Sequence, residues 1–272
     1  MKTIVKVIAL MICAIMVLSV FAACGDKAED AETDGTETAA AVKDLDAVKE
    51  KGKLIVGITD YAPMNYKDAD GAWTGFDTEF AEAFGKILGV EIEFVEIDWD
   101  NKWFELESGN IDCVWNGMTI TEEAQKNADV SAAYAKNNQV LVMAADAAAD
   151  VKEIADFTGK VAVESGSAGM TAAEDAELEI VECQLQTDAL LSVKSGKTEG
   201  CVIDATMALA MIKDGSDYEG LTVALTLTDE EYGVAFRKGS DLTAEFNKAF
   251  DALIEDGTLA DLSAKYNIEL TK

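Results

Sequence analysis

The chain has 272 residues, of which 52 are acidic and 22 basic, so its formal net charge is −30 at pH 7. A surface of this charge repels nucleic acid, and no basic stripe offsets it, which excludes nucleic-acid partners. The chain also lacks histidine, the commonest zinc ligand and the usual general base. We therefore expect no metal centre, no cofactor and no Ser-His-Asp catalysis.

Residues 1–23 have the pattern of an export signal. Two lysines precede a long apolar run that ends in small residues, which is typical of a secretory signal peptide. The run is also nearly long enough to span a bilayer, so an uncleaved anchor is the alternative. The segment FAACG at 21–25 resembles the bacterial lipobox, whose cysteine is acylated, although Phe21 departs from the usual aliphatic residue. This favours a lipoprotein signal with Cys24 as the lipidated residue, which places the remainder outside the cytoplasm at the membrane.

Residues 24–44 are rich in acidic residues, alanine and threonine and contain no large apolar side chain. Such a segment cannot form a core, so it predicts a flexible acidic tether.

From residue 53 onward, strand and helix patterns alternate. Apolar runs predict strands at 53–58, 90–97, 111–115, 139–143, 160–164, 179–184, 200–204, 221–227 and 232–236. Helical spacing or composition predicts helices at 76–88, 101–108, 121–127, 169–176, 187–195 and 205–213, and one that begins at 241. The pair Asn116-Gly117 is expected to end its strand. The alternation predicts two α/β units, arranged as two lobes with a cleft between them.

Ligands bind beyond the carboxyl ends of the strands in open α/β sheets, which directs attention to the loops after residues 58, 97, 115, 164 and 204. In the loop after residue 115, a glycine permits close backbone approach, and amides and hydroxyls suit an anion such as a carboxylate. Helix capping by Thr119 or Thr121 is an equally weighted alternative. The loop 165–169 (SGSAG) offers a second set of amides but lacks the P-loop lysine, which argues against a nucleotide.

Two further kinds of residue occupy the strand-end loops. Asp204 ends an apolar strand and could accept a hydrogen bond from a ligand ammonium, with capping of the next helix as the alternative. Aromatic side chains near these loops suit the apolar part of a small ligand, with core packing as the alternative. The complete set of candidate ligand-binding residues is Tyr61, Trp99, Trp115, Asn116, Gly117, Met118, Thr119, Ser167, Ala168, Gly169 and Asp204.

Several motifs follow one another in the order known from one protein family. They are YAP at 61–63, GFD at 75–77, WNGMTIT at 115–121, SGSAG at 165–169, Ile203-Asp204 and YGVAFRKG at 232–239. With these motifs the chain resembles the family-3 solute-binding proteins, which are polar amino-acid-binding proteins of bacterial ATP-driven importers.

The resemblance implies a two-lobed, type II periplasmic-binding-protein fold. Lobe 1 would comprise 45–140 plus 230–272 and lobe 2 would comprise 141–229, with a two-segment hinge near 140–145 and 226–232. The function implied is that of an extracytoplasmic, lipid-anchored monomer that captures a small polar solute, an amino acid or a derivative, and docks on a transmembrane permease. A solute sensor would have the same lobes.

Roles are also implied for single residues. Tyr61 would pack against the ligand, and Asp204 would bind its α-ammonium. Gly117, Thr119 and the amides of 166–169 would bind its α-carboxylate.

One departure from the family concerns that carboxylate. The family usually has an arginine on the helix after the Thr-x-Thr segment, and this position is Ala124 here. Lys126 lies two positions further on, so it should point elsewhere. Either backbone amides hold the carboxylate alone, or the ligand lacks one.

An enzyme is the alternative from another class, because this fold also hosts a dehydratase that acts on a cyclohexadienyl substrate. Glu164 at a strand end could serve as its general acid if burial raised its pKa. No second catalytic group stands out, so the chain is predicted not to be an enzyme.

Overall fold

A computed structural model of the chain describes residues 43–272. The predicted signal peptide, Cys24 and almost all of the predicted tether lie outside these residues. The helices are α1 (Asp44–Lys51), α2 (Phe76–Leu88), α3 (Lys102–Glu107), α4 (Glu122–Asn127), α5 (Ala145–Ala148), α6 (Ala168–Asp175), α7 (Gln186–Lys194), α8 (Ala205–Met211), α9 (Leu242–Glu255) and α10 (Thr258–Tyr266).

The strands are β1 (Lys53–Ile58), β2 (Tyr66–Lys67), β3 (Trp73–Thr74), β4 (Glu91–Glu96), β5 (Cys113–Thr119), β6 (Asp129–Val130), β7 (Ala135–Ala144), β8 (Lys160–Glu164), β9 (Glu179–Cys183), β10 (Gly200–Asp204) and β11 (Leu221–Phe236). Within residues 43–272, no helix is long and apolar enough to cross a membrane.

One mixed sheet runs in the order β4-β1-β5-β11-β7-β10-β8-β9, with β6 beside β11. At one end β1 is parallel to β4 and β5, and at the other β8 is parallel to β9 and β10. We call the part built on β1, β4 and β5 the first lobe, and the part built on β8, β9 and β10 the second lobe. This is the two-lobed α/β arrangement that the alternation of elements predicts.

Two antiparallel strands, β7 and β11, connect the lobes. Their pairing runs from Leu221↔Ala144 to Tyr232↔Ala135 without a break in the strand, although bulges interrupt the register. The two strands predicted at 221–227 and 232–236 are therefore one strand, because β7 supplies partners for the residues between them. Residues 139–143 already pair with β10, so the first crossing lies before the expected segment 140–145.

The prediction that Asn116-Gly117 ends its strand is wrong. Strand β5 continues to Thr119, because the residues beyond Gly117 pair with Gly233 and Tyr232 of β11. Gly117 has φ of 56°, and the register of the pairing shifts between Gly233 and Ala235. A partner strand distant in sequence thus overrides a local turn signal.

The core of the first lobe is aromatic, and Trp115 belongs to it. The Trp115 ring is fully buried, with edge-on contacts to Phe80 at 4.8 Å and Phe246 at 5.0 Å between ring centroids. Alternation along β5 directs Trp115 to the face that α2 and α9 cover. The prediction that Trp115 contacts the ligand is therefore wrong, and the core-packing alternative holds for this residue.

Helix α1 is fastened to the first lobe by an ion-pair cluster. It begins at Asp44, the last residue of the predicted tether, and the Arg237 guanidinium lies 3.0 Å from the Asp44 carboxylate and 3.4 Å from that of Asp112. Both carboxylates are at least nine-tenths buried, so this cluster is screened less than surface pairs.

Candidate ligand-binding site

A cavity of about 40 Å³ lies where the two lobes meet. Small-molecule pockets usually measure about 300–1,000 Å³, so the lobes must separate to admit an amino-acid-sized ligand. Its lining from the first lobe is Tyr61, Trp99, Lys102, Trp103, Asn116, Gly117, Met118, Thr119, Thr121, Glu123 and Ala124, and from the second lobe Gly166, Ser167, Ala168, Thr171, Gln186 and Asp204.

Nine of the eleven candidate residues line this cavity: Tyr61, Trp99, Asn116, Gly117, Met118, Thr119, Ser167, Ala168 and Asp204. The two exceptions are Trp115, which lies in the core, and Gly169. A Cβ at Gly169 would come within 2.9 Å of both Gln139 Oε1 and the Val202 carbonyl. Gly169 therefore permits close packing of α6 on the sheet and does not line the cavity. The ligand contacts of the other nine stay predictions.

Asp204 is held at the bottom of the cavity by neutral donors. Its carboxylate is buried and accepts hydrogen bonds from Gln139 Nε2 and the Tyr232 hydroxyl, both at 2.9 Å. The side-chain amides of Asn137 and Gln186 donate to it as well. The carboxylate makes no capping bond to α8. Asp204 thus occupies the N-cap position of α8 without the side-chain capping bond that this alternative requires.

A second carboxylate, that of Glu230, lies beside Asp204. Glu230 Oε1 accepts from the same two amides, Asn137 Nδ2 at 2.6 Å and Gln139 Nε2 at 2.9 Å. Burial, followed by the charge of Glu230, raises the pKa of Asp204 to about 7. None of the ion pairs within residues 43–272 includes either carboxylate. This end of the cavity is therefore receptive to a positively charged group.

The amide of Gly117 is already occupied. It donates to Asp77 Oδ2 at 2.6 Å, and the Tyr134 hydroxyl donates to the same oxygen at 3.0 Å. Burial raises the pKa of Asp77 to about 7, although these bonds favour its ionised form. The Gly117 N–H is thus not free for a ligand carboxylate, contrary to the amide role expected for this loop. A Cβ at Gly117 would meet Tyr61 Cε1 at 2.7 Å, so a glycine is needed for the tyrosine ring to pack here.

The hydroxyls in the segments that lead from β5 to α4 and from β8 to α6 make two kinds of hydrogen bond, helix caps and a bond to Glu230. Thr121 Oγ1 accepts from the Ala124 N–H at 3.0 Å and caps α4, so the capping alternative holds for Thr121. Thr119 instead donates to Glu230 Oε1 at 2.9 Å. In the second lobe, Ser167 Oγ accepts from the Met170 N–H at 3.0 Å and caps α6.

Tyr61 links the two lobes at the cavity. Its hydroxyl lies 2.5 Å from Thr206 Oγ1 of the second lobe and 2.6 Å from the Tyr232 hydroxyl. The Tyr232 hydroxyl continues this chain of bonds to Asp204. A chain of hydrogen bonds thus connects the contact between the lobes with the Asp204 carboxylate.

Sequence reasoning missed Lys102, a buried cation in the cavity wall. Its ammonium donates to the carbonyls of Trp99 at 3.2 Å and of Gly166 at 2.8 Å. Burial lowers its pKa, while the charges of Glu123, Glu164 and Asp100 act in the opposite direction. The strand-end rule could have identified Lys102, because this residue directly follows the loop after β4 to which the rule points. Ala124 also lines the cavity, whereas Lys126 is exposed as expected.

The sequence matches the bacterial extracellular solute-binding proteins, family 3, over residues 54–269. The chain belongs to this family. Two relatives in it are the arginine-binding extracellular protein ArtP of Bacillus subtilis, 32% identical over 79% of this chain and 86% of that protein, and the L-cystine-binding protein TcyJ of Escherichia coli K12, 32% identical over 84% and 88%. The predicted family is confirmed.

A solved structure supports the fold. The ancestral amino acid-binding protein AncCDT-1, described as a precursor of cyclohexadienyl dehydratase, superposes with a TM-score of 0.76 at 33% identity and covers 82% of this chain and 99% of that chain. The predicted two-lobed binding-protein fold is thereby confirmed, and the chain is a solute-binding protein.

Proposed function

We propose that the protein captures an amino acid between its lobes and passes it, as a monomer, to the permease of an ATP-driven importer. The observation that carries the proposal is the buried Asp204 carboxylate, which closes one end of the interlobe cavity and has no cation bonded to it. An α-ammonium meets this need with a charge-assisted hydrogen bond. Two relatives, the arginine-binding protein ArtP and the L-cystine-binding protein TcyJ, support the same ligand class.

Thermal unfolding of the purified protein tests the ligand class. The panel is the twenty standard amino acids, L-cystine, short polyamines and small sugars. A ligand at a hundred times its dissociation constant stabilises the folded state by about 2.7 kcal/mol, which is readily measured. A shift with one or a few amino acids is expected. A shift with sugars or polyamines and with no amino acid would contradict the proposal.

We also propose that the protein is held at the outer side of the membrane by a lipid on Cys24. The support is the lipobox-like sequence at 21–25. Expression in a bacterial host with a radiolabelled fatty acid should label the wild-type protein and the Cys13→Ser control, while Cys24→Ser remains unlabelled. Equal labelling of Cys24→Ser would contradict the anchor.

The enzyme alternative has one observation in its favour. Burial, followed by the charge of Asp204, raises the pKa of Glu164 to about 8, so this carboxyl is protonated at neutral pH as a general acid must be. Glu164 is not, however, among the residues that line the cavity. We therefore favour binding without turnover. Conversion of prephenate or arogenate by the purified protein, lost in Glu164→Gln, would reverse this choice.

A further inference from the structure

The corner of the cavity where the family has its arginine is apolar in this chain. Ala124 is buried and packs in one apolar cluster with Trp99 and Met118. Its N–H is satisfied by Thr121 Oγ1. This position therefore supplies no charge for an anionic group.

Lys102 is the cation that lines the same cavity, and it comes from a different element. It opens α3 and is only 5% exposed. An ammonium has three donors, and two of them are used by the carbonyls of Trp99 and Gly166. The third donor has no hydrogen-bond partner among residues 43–272, and Lys102 lines the cavity.

Two indole rings hold this ammonium in place. Lys102 Nζ lies 5.0 Å from the centroid of Trp99 and 5.2 Å from that of Trp103, within the range of cation–π attraction. Of the carboxylates near Lys102, that of Glu123 raises the Lys102 pKa most. Glu123 Oε1, however, accepts a hydrogen bond from Trp103 Nε1 at 2.8 Å. The cation is therefore positioned by neutral groups.

The charge of Lys102 is not balanced by an ion pair. None of the ion pairs formed by the described residues includes it. Burial of a cation without an anionic partner is costly. The two carbonyls, the two indole rings and the carboxylates further away offset part of this cost, and a ligand anion in the cavity would offset more.

We infer that Lys102 binds the α-carboxylate of the ligand and thereby replaces the arginine that is absent at Ala124. The cavity then has a cation in its first-lobe wall and the Asp204 carboxylate in its second-lobe wall, a polarity that matches a zwitterion. Because Gly166 belongs to the second lobe, the Lys102 ammonium takes its full set of bonds only when the lobes close. This inference rests on the proposed capture of an amino acid.

The test compares amino acids with their carboxamides, which keep the ammonium and lose the anionic charge. Calorimetric titrations use L-arginine, L-cystine, L-argininamide and L-cystine diamide against wild type, Lys102→Met and Lys102→Gln. Charge-assisted bonds predict that both variants bind the amino acids at least about tenfold more weakly, and the carboxamides less than about threefold more weakly. The control Lys126→Met removes an exposed charge from α4 and should match wild type.

The melting temperature of the ligand-free protein distinguishes ligand binding from a structural role. If Lys102 binds the ligand, removal of this unpaired buried charge in Lys102→Met should leave that temperature unchanged or raised. Misfolding of both variants, or an equal loss of affinity for amino acids and carboxamides, would assign Lys102 to folding or to lobe closure and overturn the inference. Unchanged amino-acid affinity would overturn it too. If neither amino acid nor any other in the panel binds wild type, the proposed function fails, and this inference with it.

Discussion

Two charged residues of the cavity wall, Asp204 and Lys102, are buried by different means. At Asp204 the carboxylate is surrounded by side-chain amides and a tyrosine hydroxyl, and a second carboxylate lies beside it. At Lys102 the ammonium is held by two backbone carbonyls and two indole rings. Neither residue has an ion-pair partner among residues 43–272. Both charges are thus positioned before a ligand arrives, which reduces the cost of binding.

The negative end should carry the larger share of affinity. Asp204→Asn keeps the size of the side chain and removes its charge, so calorimetry should show amino-acid binding weakened between about tenfold and a hundredfold. The matched control is Asp188→Asn, which removes an exposed carboxylate from α7. Affinity within about twofold of wild type for Asp204→Asn would show that the carboxylate does not bind the ammonium.

Protonation should weaken the same end of the cavity. The raised pKa of Asp204, about 7, means that the carboxyl is about nine-tenths ionised at pH 8 and about one-tenth at pH 6. Because the α-ammonium stays charged, calorimetry should find binding about tenfold weaker at pH 6 than at pH 8, with protons released on binding at pH 6. A flat profile would contradict the role of Asp204.

Glu230→Gln sharpens this pH prediction. Removal of the neighbouring charge lowers the pKa of Asp204, so the loss of amino-acid affinity on acidification should occur at lower pH. A loss of affinity at the same pH as in wild type would show that Glu230 does not act on Asp204 electrostatically.

A neutral bond between the lobes should matter less than either charge. Tyr61→Phe removes the hydroxyl that reaches Thr206 and Tyr232. Because a neutral hydrogen bond contributes less free energy than a charge-assisted one, calorimetry should show amino-acid binding weakened only about two- to tenfold. Tyr66→Phe, in the β2–β3 hairpin outside the cavity, is the control. A loss from Tyr61→Phe larger than that from Asp204→Asn would reverse the ranking of charged and neutral contacts.

The smallest effect on affinity is expected for Trp115→Phe. This ring belongs to the aromatic core, so its truncation should leave amino-acid affinity within about twofold of wild type while it destabilises the first lobe by about 1–3 kcal/mol. Denaturant unfolding measures the second effect. A large affinity change without loss of stability would return Trp115 to the ligand site.

The strands predicted best from sequence are those whose apolar runs end at local turn signals. Strands β1, β8 and β10 were each predicted to the residue, because each run is bounded by glycine or by a polar loop. Helix α10 and the β2–β3 hairpin were not predicted. The continuation of β5 past Gly117 was not predictable, because it depends on pairing with β11 more than a hundred residues away.

The candidate site shows the same limit. The strand-end rule directs attention to Asp204 and to the loop after β4, which the structure places at the cavity, yet within that loop the sequence singles out only Trp99. Burial of Lys102 depends on the carbonyl of Gly166, 64 residues further along the chain. Trp115 was misassigned because the break expected at Asn116-Gly117 placed it at a strand end. In the structure it lies inside β5.

The ion pairs of Arg237 with Asp44 and Asp112 have a mechanical consequence. They fasten helix α1, which begins at Asp44, to the first lobe. If Cys24 carries the proposed lipid, tension along the chain would act on that lobe. In the proposed lipid-anchored protein, the first lobe with Lys102 would therefore stay next to the anchored chain, and the second lobe with Asp204 would move relative to it.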